Sequence, residues 1–394
     1  MASFATPEGT RRYAQRFASA AVGYFRPSAA LPSAQLRAGG TTQQPAPSTG
    51  LGTSAAGLLL SSIGIGTYLG NPDAETDQAY TDTVVAAVEG GVNVIDSAIN
   101  YRFQRSERSV GAALKKLAAA GLARDELVLC TKGGYLTPDG DMPADPSKYF
   151  FREYIETGVF RVDEIVGGHC MTPRYLANQL ERSLRNLGVE CIDVYYLHNP
   201  ESQLGHVPRE EFARRVREAL AYLESAVTAG KIGAYGVATW NAFRQPETAP
   251  DYISLSEMER LAREVAGDSH HFRFVQLPFN LAMTEALTRP NQALDGRRVP
   301  MVKAAHALGI TLVASASLLQ GQVAQNMPPF IAEALGLEND LHRALQFARS
   351  APGITTALVG MSRVEHVREN LKLAGVPPAS QEQLSKLFER GEPA

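Results

Sequence analysis

Short apolar runs alternate with longer amphipathic stretches along most of the chain. The runs are rich in Val, Ile, Leu and Tyr and are bounded by Gly or charge, as in strands buried on both faces of a parallel sheet. They predict strands over 62–67, 92–96, 127–132 and 191–198, then over 231–238, 272–277, 311–316 and 355–360. Between the first two, Tyr80, Val84, Val85 and Val88 share one face of a helix predicted over 75–89. Further helices are predicted over 106–120, 172–187, 212–229, 256–266, 299–308, 339–350 and 364–373. Thr172-Pro173 supplies an N-cap and a first-turn proline. Gly90-Gly91, Gly188, Gly230 and Gly309 fit helix ends that lead into tight loops. Eight such alternations imply an α/β fold of the closed (β/α)8 TIM-barrel type.

Two segments break the alternation. Residues 1–50 hold five arginines against the single acid Glu8 and end in GGTTQQPAPSTG, which reads as a flexible linker. An Arg-rich, acid-poor start can be an organelle transit peptide. Tyr13, Phe17, Tyr24 and Phe25 instead suggest an extension that docks on the domain. The predicted organisation is therefore an extension and linker over 1–50 and a barrel catalytic domain over 51–394. The second break is Gly133–Met171, a long loop after the third barrel strand. Its Tyr135, Tyr149, Phe150, Phe151 and Tyr154 could line a pocket or pack into a flap of their own.

Composition narrows the function classes. Thirty-eight basic and 41 acidic residues give a net charge of −3, which offers no electrostatic footprint for nucleic acid. No apolar run approaches the ~20 residues that span a bilayer. Cys130, Cys170 and Cys191 show no CxxC spacing, which argues against a disulfide framework and for a reducing cytoplasm. His169-Cys170 has no matching third ligand, so no metal is expected.

The chemistry is concentrated at strand ends. Asp96, Lys132 and His198 terminate three successive predicted strands, and Tyr101 follows the first of them closely. In a closed barrel those ends meet at one mouth. Reducing a carbonyl requires a proton at the oxygen as negative charge develops there. A tyrosine hydroxyl can supply it, with an ordinary pKa of about 10 that a neighbouring ammonium lowers. The ammonium needs a counter-charge in a dry site, which an aspartate provides. A histidine can hydrogen-bond the oxygen. Tyr101, Lys132, Asp96 and His198 match these four roles.

Asp96-Ser97-Ala98, Asn100-Tyr101, Ser106-Glu107 and Val110-Gly111, followed by Thr131-Lys132 and Leu197-His198, resemble the aldo-keto reductase signature from about residue 63 to 370. The resemblance implies nicotinamide binding without a Rossmann fold, and NADPH or, less favoured, NADH as cofactor. Gly64, Gly66 and Gly70 accordingly miss the GxGxxG spacing. Gln276 resembles the residue that holds the carboxamide. Ala238-Thr239-Trp240 stands where the family has Ser-Asn-aromatic, which leaves Thr239 as a shorter substitute; Trp240 could wall the substrate pocket or pack in the core. Ser315-Ala316-Ser317-Leu318 replaces the family's common Tyr-Ser-Pro-Leu-like stretch after the seventh strand, where the resemblance implies pyrophosphate contacts. Ser362, Arg363, Glu369 and Asn370 resemble the adenosine-phosphate segment, where Arg363 at a helix N-terminus could hold a 2′-phosphate or lie in solvent.

The expectation is thus an NADP(H)-dependent oxidoreductase that turns an aldehyde or ketone into an alcohol, with Tyr101 as general acid and a small carbonyl compound as its partner. Two other classes stay open. Potassium-channel β-subunits resemble the same family, so a nicotinamide-binding regulatory or scaffold protein is one. A Schiff base on Lys132 in an aldolase-like barrel is the other.

Overall fold

The computed structural model describes residues 3–17, 19–29 and 57–389. Eight parallel strands close a barrel: β1 (Ile63–Gly66), β2 (Val94–Asp96), β3 (Val128–Gly133) and β4 (Ile192–His198). They continue with β5 (Ile232–Ala238), β6 (Phe272–Pro278), β7 (Thr311–Ser315) and β8 (Ile354–Gly360). Neighbours in sequence are neighbours in space, and β8 returns to β1. Around them run α1 (Ala74–Glu89), α2 (Arg105–Ala119), α3 (Pro173–Leu187) and α4 (Arg209–Thr228). The ring is completed by α5 (Leu255–Ala266), α6 (Met301–Ala307), α7 (Asp340–Ser350) and α8 (Val364–Leu371).

The continuous apolar character of the strands has a direct cause. One face of each strand fills the barrel, where Val94, Val128, Cys130, Val194, Tyr196, Ala234, Phe274, Val313 and Leu358 form a single cluster. The alternate residues, such as Ile95, Leu129, Ile192, Leu197, Ile232 and Val275, face outward and are buried under the helices. Neither face meets water, so no polar alternation is needed. Gly111 permits α2 to approach α3 closely, because a Cβ there would fall 2.5 Å from the Asn186 carbonyl oxygen.

The predicted helix over 299–308 begins two residues late. Arg297–Val299 pairs with Gln292–Leu294 as a small antiparallel ribbon, and Pro300 then caps α6. The last predicted helix ends at Leu371, followed by a tighter 3-10 turn over Lys372–Gly375. Among the described residues, the helices Pro7–Gln15, Pro329–Leu335 and Gln381–Glu389 and the shorter Pro146–Phe150 and Glu285–Thr288 were not predicted. Each is too short to show a sustained apolar period.

The described part of the N-terminal extension docks. Its helix Pro7–Gln15 is capped by Thr6, whose Oγ1 accepts from Gly9 N at 2.8 Å. The Tyr13 hydroxyl faces the carbonyls of Val88 (2.5 Å) and Val92 (2.9 Å). Arg12 and Arg16 both reach Glu126 at 2.7 Å. Phe25–Pro27 pairs antiparallel with Leu59–Ser61, and Ala5, Leu58 and Leu60 join the barrel's interior cluster. These contacts lie at the N-terminal ends of the strands: Asn93, just before β2, bonds Ser61 N and Leu59 O, and Asp193 in β4 accepts from Ala5 N at 2.6 Å. The extension therefore floors the barrel opposite its mouth. The GGTTQQPAPSTG linker lies outside the described residues.

The insertion is mainly a self-packed flap. Tyr154, Phe160, Cys170 and Tyr175 form their own buried cluster, with Leu136, Phe150, Ile155, Val159 and Ile165 against it. Phe151 is exposed. Of the five aromatics named above, Tyr135 is the one whose ring meets His198.

Candidate active site

The strand ends bring the four polar residues to one mouth. Asp96 closes β2, Lys132 is the penultimate residue of β3, and His198 closes β4. Tyr101 stands on the turn between β2 and α2. The Lys132 ammonium donates to Asp96 Oδ2 at 2.6 Å and to the Ser97 carbonyl at 2.8 Å. It lies 4.9 Å from the centre of the Tyr101 ring. The Tyr101 and His198 rings meet edge to face at 5.8 Å.

Burial sets the protonation of this group. Burial alone would lower the Lys132 pKa, but Asp96 and Tyr101 more than offset it and hold the ammonium above its ordinary value. Tyr101 departs from the sequence expectation: burial lifts its hydroxyl above the usual value, and Lys132 pulls it back only part of the way. The hydroxyl is thus firmly protonated at neutral pH, the state a proton donor needs. Burial, with Lys132 and His169 adding to it, pushes His198 well down, so its ring is neutral.

Neighbouring motif residues brace the site from behind. Ser97, Ser106 and Thr67 share a hydroxyl cluster that ends on the Asp96 carbonyl, 3.0 Å from Thr67 Oγ1. Thr131 donates to the buried Glu107 carboxylate at 2.7 Å, and Asn186 does so at 2.9 Å. The Ser-Glu spacing in the sequence therefore serves to anchor the ends of β2 and β3.

His169 spends both ring nitrogens on the protein. Nε2 donates to the His198 carbonyl at 2.9 Å, and Nδ1 accepts from Gln203 at 3.1 Å. Burial depresses its pKa from 6.5 to about 4. The unfolded chain binds this proton more readily, so the folded state loses stability as pH falls from about 6.5 towards 4. The stability difference between wild type and His169→Gln is expected to shrink by about 1.4 kcal/mol per pH unit across that window. Denaturant unfolding at stepped pH reads it; a pH-independent difference would remove the assignment.

The residues predicted for cofactor contacts also lie at this end of the barrel. Gln276 is in β6, Thr239 follows β5, Ser315 closes β7, Leu318 lies just beyond it, and Ser362 and Arg363 lead into α8. Two are committed differently from expectation. Gln276 Nε2 donates to Asp96 Oδ1 at 2.8 Å, tying β6 to the Lys132 pair. Thr239 Oγ1 donates to Glu201 Oε1 at 2.7 Å and accepts from Ala242 N, so its hydroxyl is turned into the protein. The preceding Ala238 offers no polar side chain.

Arg363 is exposed and donates to the His366 ring at 2.7 and 3.1 Å, so no carboxylate among the described residues neutralises it. Glu369 is held by Lys372 at 2.6 Å and lies 3.2 Å from His342. Asn370 is buried with its Oδ1 lacking a partner. An unneutralised cation and an orphaned acceptor on one helix suit a phosphate and an amino-bearing base.

Two neighbours, Tyr68 and Glu201, escaped the sequence reading, and a third, Tyr135, is one of the insertion aromatics it named as possible pocket lining. Tyr68, largely exposed, meets the Tyr101 ring at 4.9 Å. Tyr135 packs edge-on to His198 at 5.2 Å, with its hydroxyl bonded to Ser202 at 2.8 Å. Glu201, buried and shifted up by burial, accepts from Thr239 Oγ1, Trp240 N and Asn241 N. Its place three residues after a strand-ending histidine was the signal available. Trp240 itself is about half exposed, which places it at the rim rather than in the core.

The sequence profile of the Aldo/keto reductase family matches residues 62–327. The chain belongs to that family. Among its relatives is the NADH-specific methylglyoxal reductase of Escherichia coli, 28% identical over 207 residues, or 51% of this chain and 54% of that protein. The aldo-keto reductase YhdN of Bacillus subtilis is 30% identical over 193 residues, 49% of this chain and 45% of the relative. The chain spans about half the length of these curated relatives. An aldo/keto reductase of Klebsiella pneumoniae, solved with NADP and acetate, shares the fold at TM-score 0.57 and 21% identity, covering 86% of this chain and 93% of its own. Membership in this family agrees with the closed eight-stranded barrel.

Proposed function

We propose that this aldo/keto reductase reduces an aldehyde or ketone to an alcohol with NADPH, NADH being the lesser alternative, and that Tyr101 is its general acid. What carries the reading is one juxtaposition: a buried ammonium, neutralised by Asp96, held beside a tyrosine that burial keeps protonated. The cofactor, when bound, supplies hydride to the carbonyl carbon. As charge grows on the carbonyl oxygen, the Tyr101 O–H delivers the proton, and the Lys132 ammonium stabilises the phenolate left behind. Asp96 keeps that ammonium charged in a dry setting. The neutral His198 ring donates a hydrogen bond that orients the oxygen.

The cofactor contacts divide along the barrel rim. Gln276 and Thr239 would serve the carboxamide, Gln276 through its carbonyl oxygen and Thr239 through its backbone. Ser315 and Leu318 would flank the pyrophosphate. Ser362 and Arg363 would take the 2′-phosphate, and Glu369 and Asn370 the adenosine. The exposed, unneutralised Arg363 is the reason to favour NADPH. Three free, buried cysteines suit a cytoplasmic setting.

Trp240 fluorescence should quench at lower concentrations of NADPH than of NADH, and NADPH should then be consumed with members of an aldehyde and ketone panel. Tight NADPH binding with no turnover across the panel would favour the regulatory reading instead. Borohydride trapping of a carbonyl compound on Lys132 would favour the Schiff-base reading.

A further inference from the structure

The turn that carries Tyr101 is strained and held at two points. Arg102, Phe103 and Gln104 follow Tyr101 with φ of 47°, 56° and 72°, three successive left-handed residues that each carry a Cβ. Side chains disfavour that conformation, and it persists only where the surroundings over-determine it.

The first hold comes from α1. Asp77 accepts from the buried Arg102 through Oδ1 at 2.5 Å and from Arg105 through Oδ2 at 2.6 Å. Arg102 also donates to Ser109 Oγ at 3.1 Å, and its guanidinium stacks on the Tyr80 ring. The second hold comes from the insertion. Gly140 N donates to the Phe103 carbonyl at 2.8 Å, Gln104 Nε2 to the Pro138 carbonyl at 3.1 Å, and Arg105 Nε to the Gly140 carbonyl at 2.6 Å. Asn186 closes the far side on Gln104 Oε1 at 3.1 Å.

We propose that Asp77, acting through Arg102, and the Pro138–Gly140 entry of the insertion clamp this turn and so position the Tyr101 hydroxyl for proton transfer. This rests on Tyr101 being the proton donor. It gives the long loop a task in the chemistry besides bounding the mouth. Asp77, Arg102 and Gln104 are positioning residues, because they reach the reaction only through Tyr101.

Asp77→Asn keeps the shape of the side chain and removes its charge. Arg102→Gly removes the guanidinium but accepts the left-handed φ, so it stays foldable where an alanine would be strained. Both are expected to lower kcat about tenfold to a hundredfold, the scale of a misplacement near 1 Å. NADPH affinity, read by Trp240 fluorescence, should be unchanged. The solvent deuterium isotope effect on kcat should rise as proton transfer becomes slower. Gln104→Ala should show the same signature with a smaller loss. In a Tyr101→Phe background, adding Asp77→Asn should leave the residual rate where it was.

Wild-type kcat in both Asp77→Asn and Arg102→Gly would overturn the clamp, as would an Asp77→Asn loss of equal size with and without Tyr101. Full turnover in Tyr101→Phe alone would instead overturn the donor assignment, and the clamp with it.

Discussion

Replacing Tyr101 with Phe is expected to cut kcat by about a hundredfold to ten-thousandfold, the usual contribution of a positioned general acid. The substitution is nearly pure in its effect. The ring stays, so its edge contacts with Tyr68 at 4.9 Å and His198 at 5.8 Å persist. The Lys132 ammonium keeps its bonds to Asp96 and Ser97. Only the O–H is lost. NADPH binding should therefore match wild type, and single-turnover measurements should place the whole deficit in the chemical step. A variant that binds cofactor normally and turns over at the wild-type rate would exclude Tyr101 as donor.

Lys132→Met should cost both rate and stability, and the second loss is the more informative. Lys132 is fully buried, and Asp96 beside it is nearly so. Removing the cation leaves a buried carboxylate with Gln276 as its remaining side-chain donor. Breaking a buried pair from one side typically costs about 3–5 kcal/mol. Replacing both partners is much milder, since no uncompensated charge remains. Chemical denaturation should thus show Lys132→Met well below wild type and the double variant Asp96→Asn with Lys132→Met recovering much of the gap. Neither should recover turnover, because the phenolate would still lack its ammonium. A Lys132→Met protein as stable as wild type would mean the pair is not a charged one.

The barrel was legible because its strands are buried on both faces, which writes each of them as an unbroken apolar run. Strand ends were legible for a related reason. Asp96, Lys132 and His198 stand out because they interrupt such runs, and a barrel sends all those interruptions to one side. What stayed hidden depends on contacts between distant parts of the chain. Ala5 meets Asp193, and Gln276 meets Asp96, with nothing local in either segment to announce the pairing. The sequence offers Thr239 as a shorter substitute in a cofactor contact, and hides that Glu201, which claims its hydroxyl, lies 38 residues earlier. The expected lowering of the Tyr101 pKa counted the ammonium but not the loss of water around the ring. The left-handed turn after Tyr101 carries no glycine to mark it, so only the surrounding bonds reveal it.

The floor of the barrel has a consequence for how the chain can change. Pro27 and Leu59 face each other in the antiparallel ribbon, so the polypeptide leaves the floor and rejoins it at the same place. The chain is therefore pinned on both sides of residues 30–56. Closing such a loop costs entropy only logarithmically, about 0.6 kcal/mol for each doubling of its length. Its exit and re-entry lie on the side of the barrel away from Tyr101. Changes of length between those two anchors are therefore expected to cost little stability, and the anchors themselves stand away from the reacting groups.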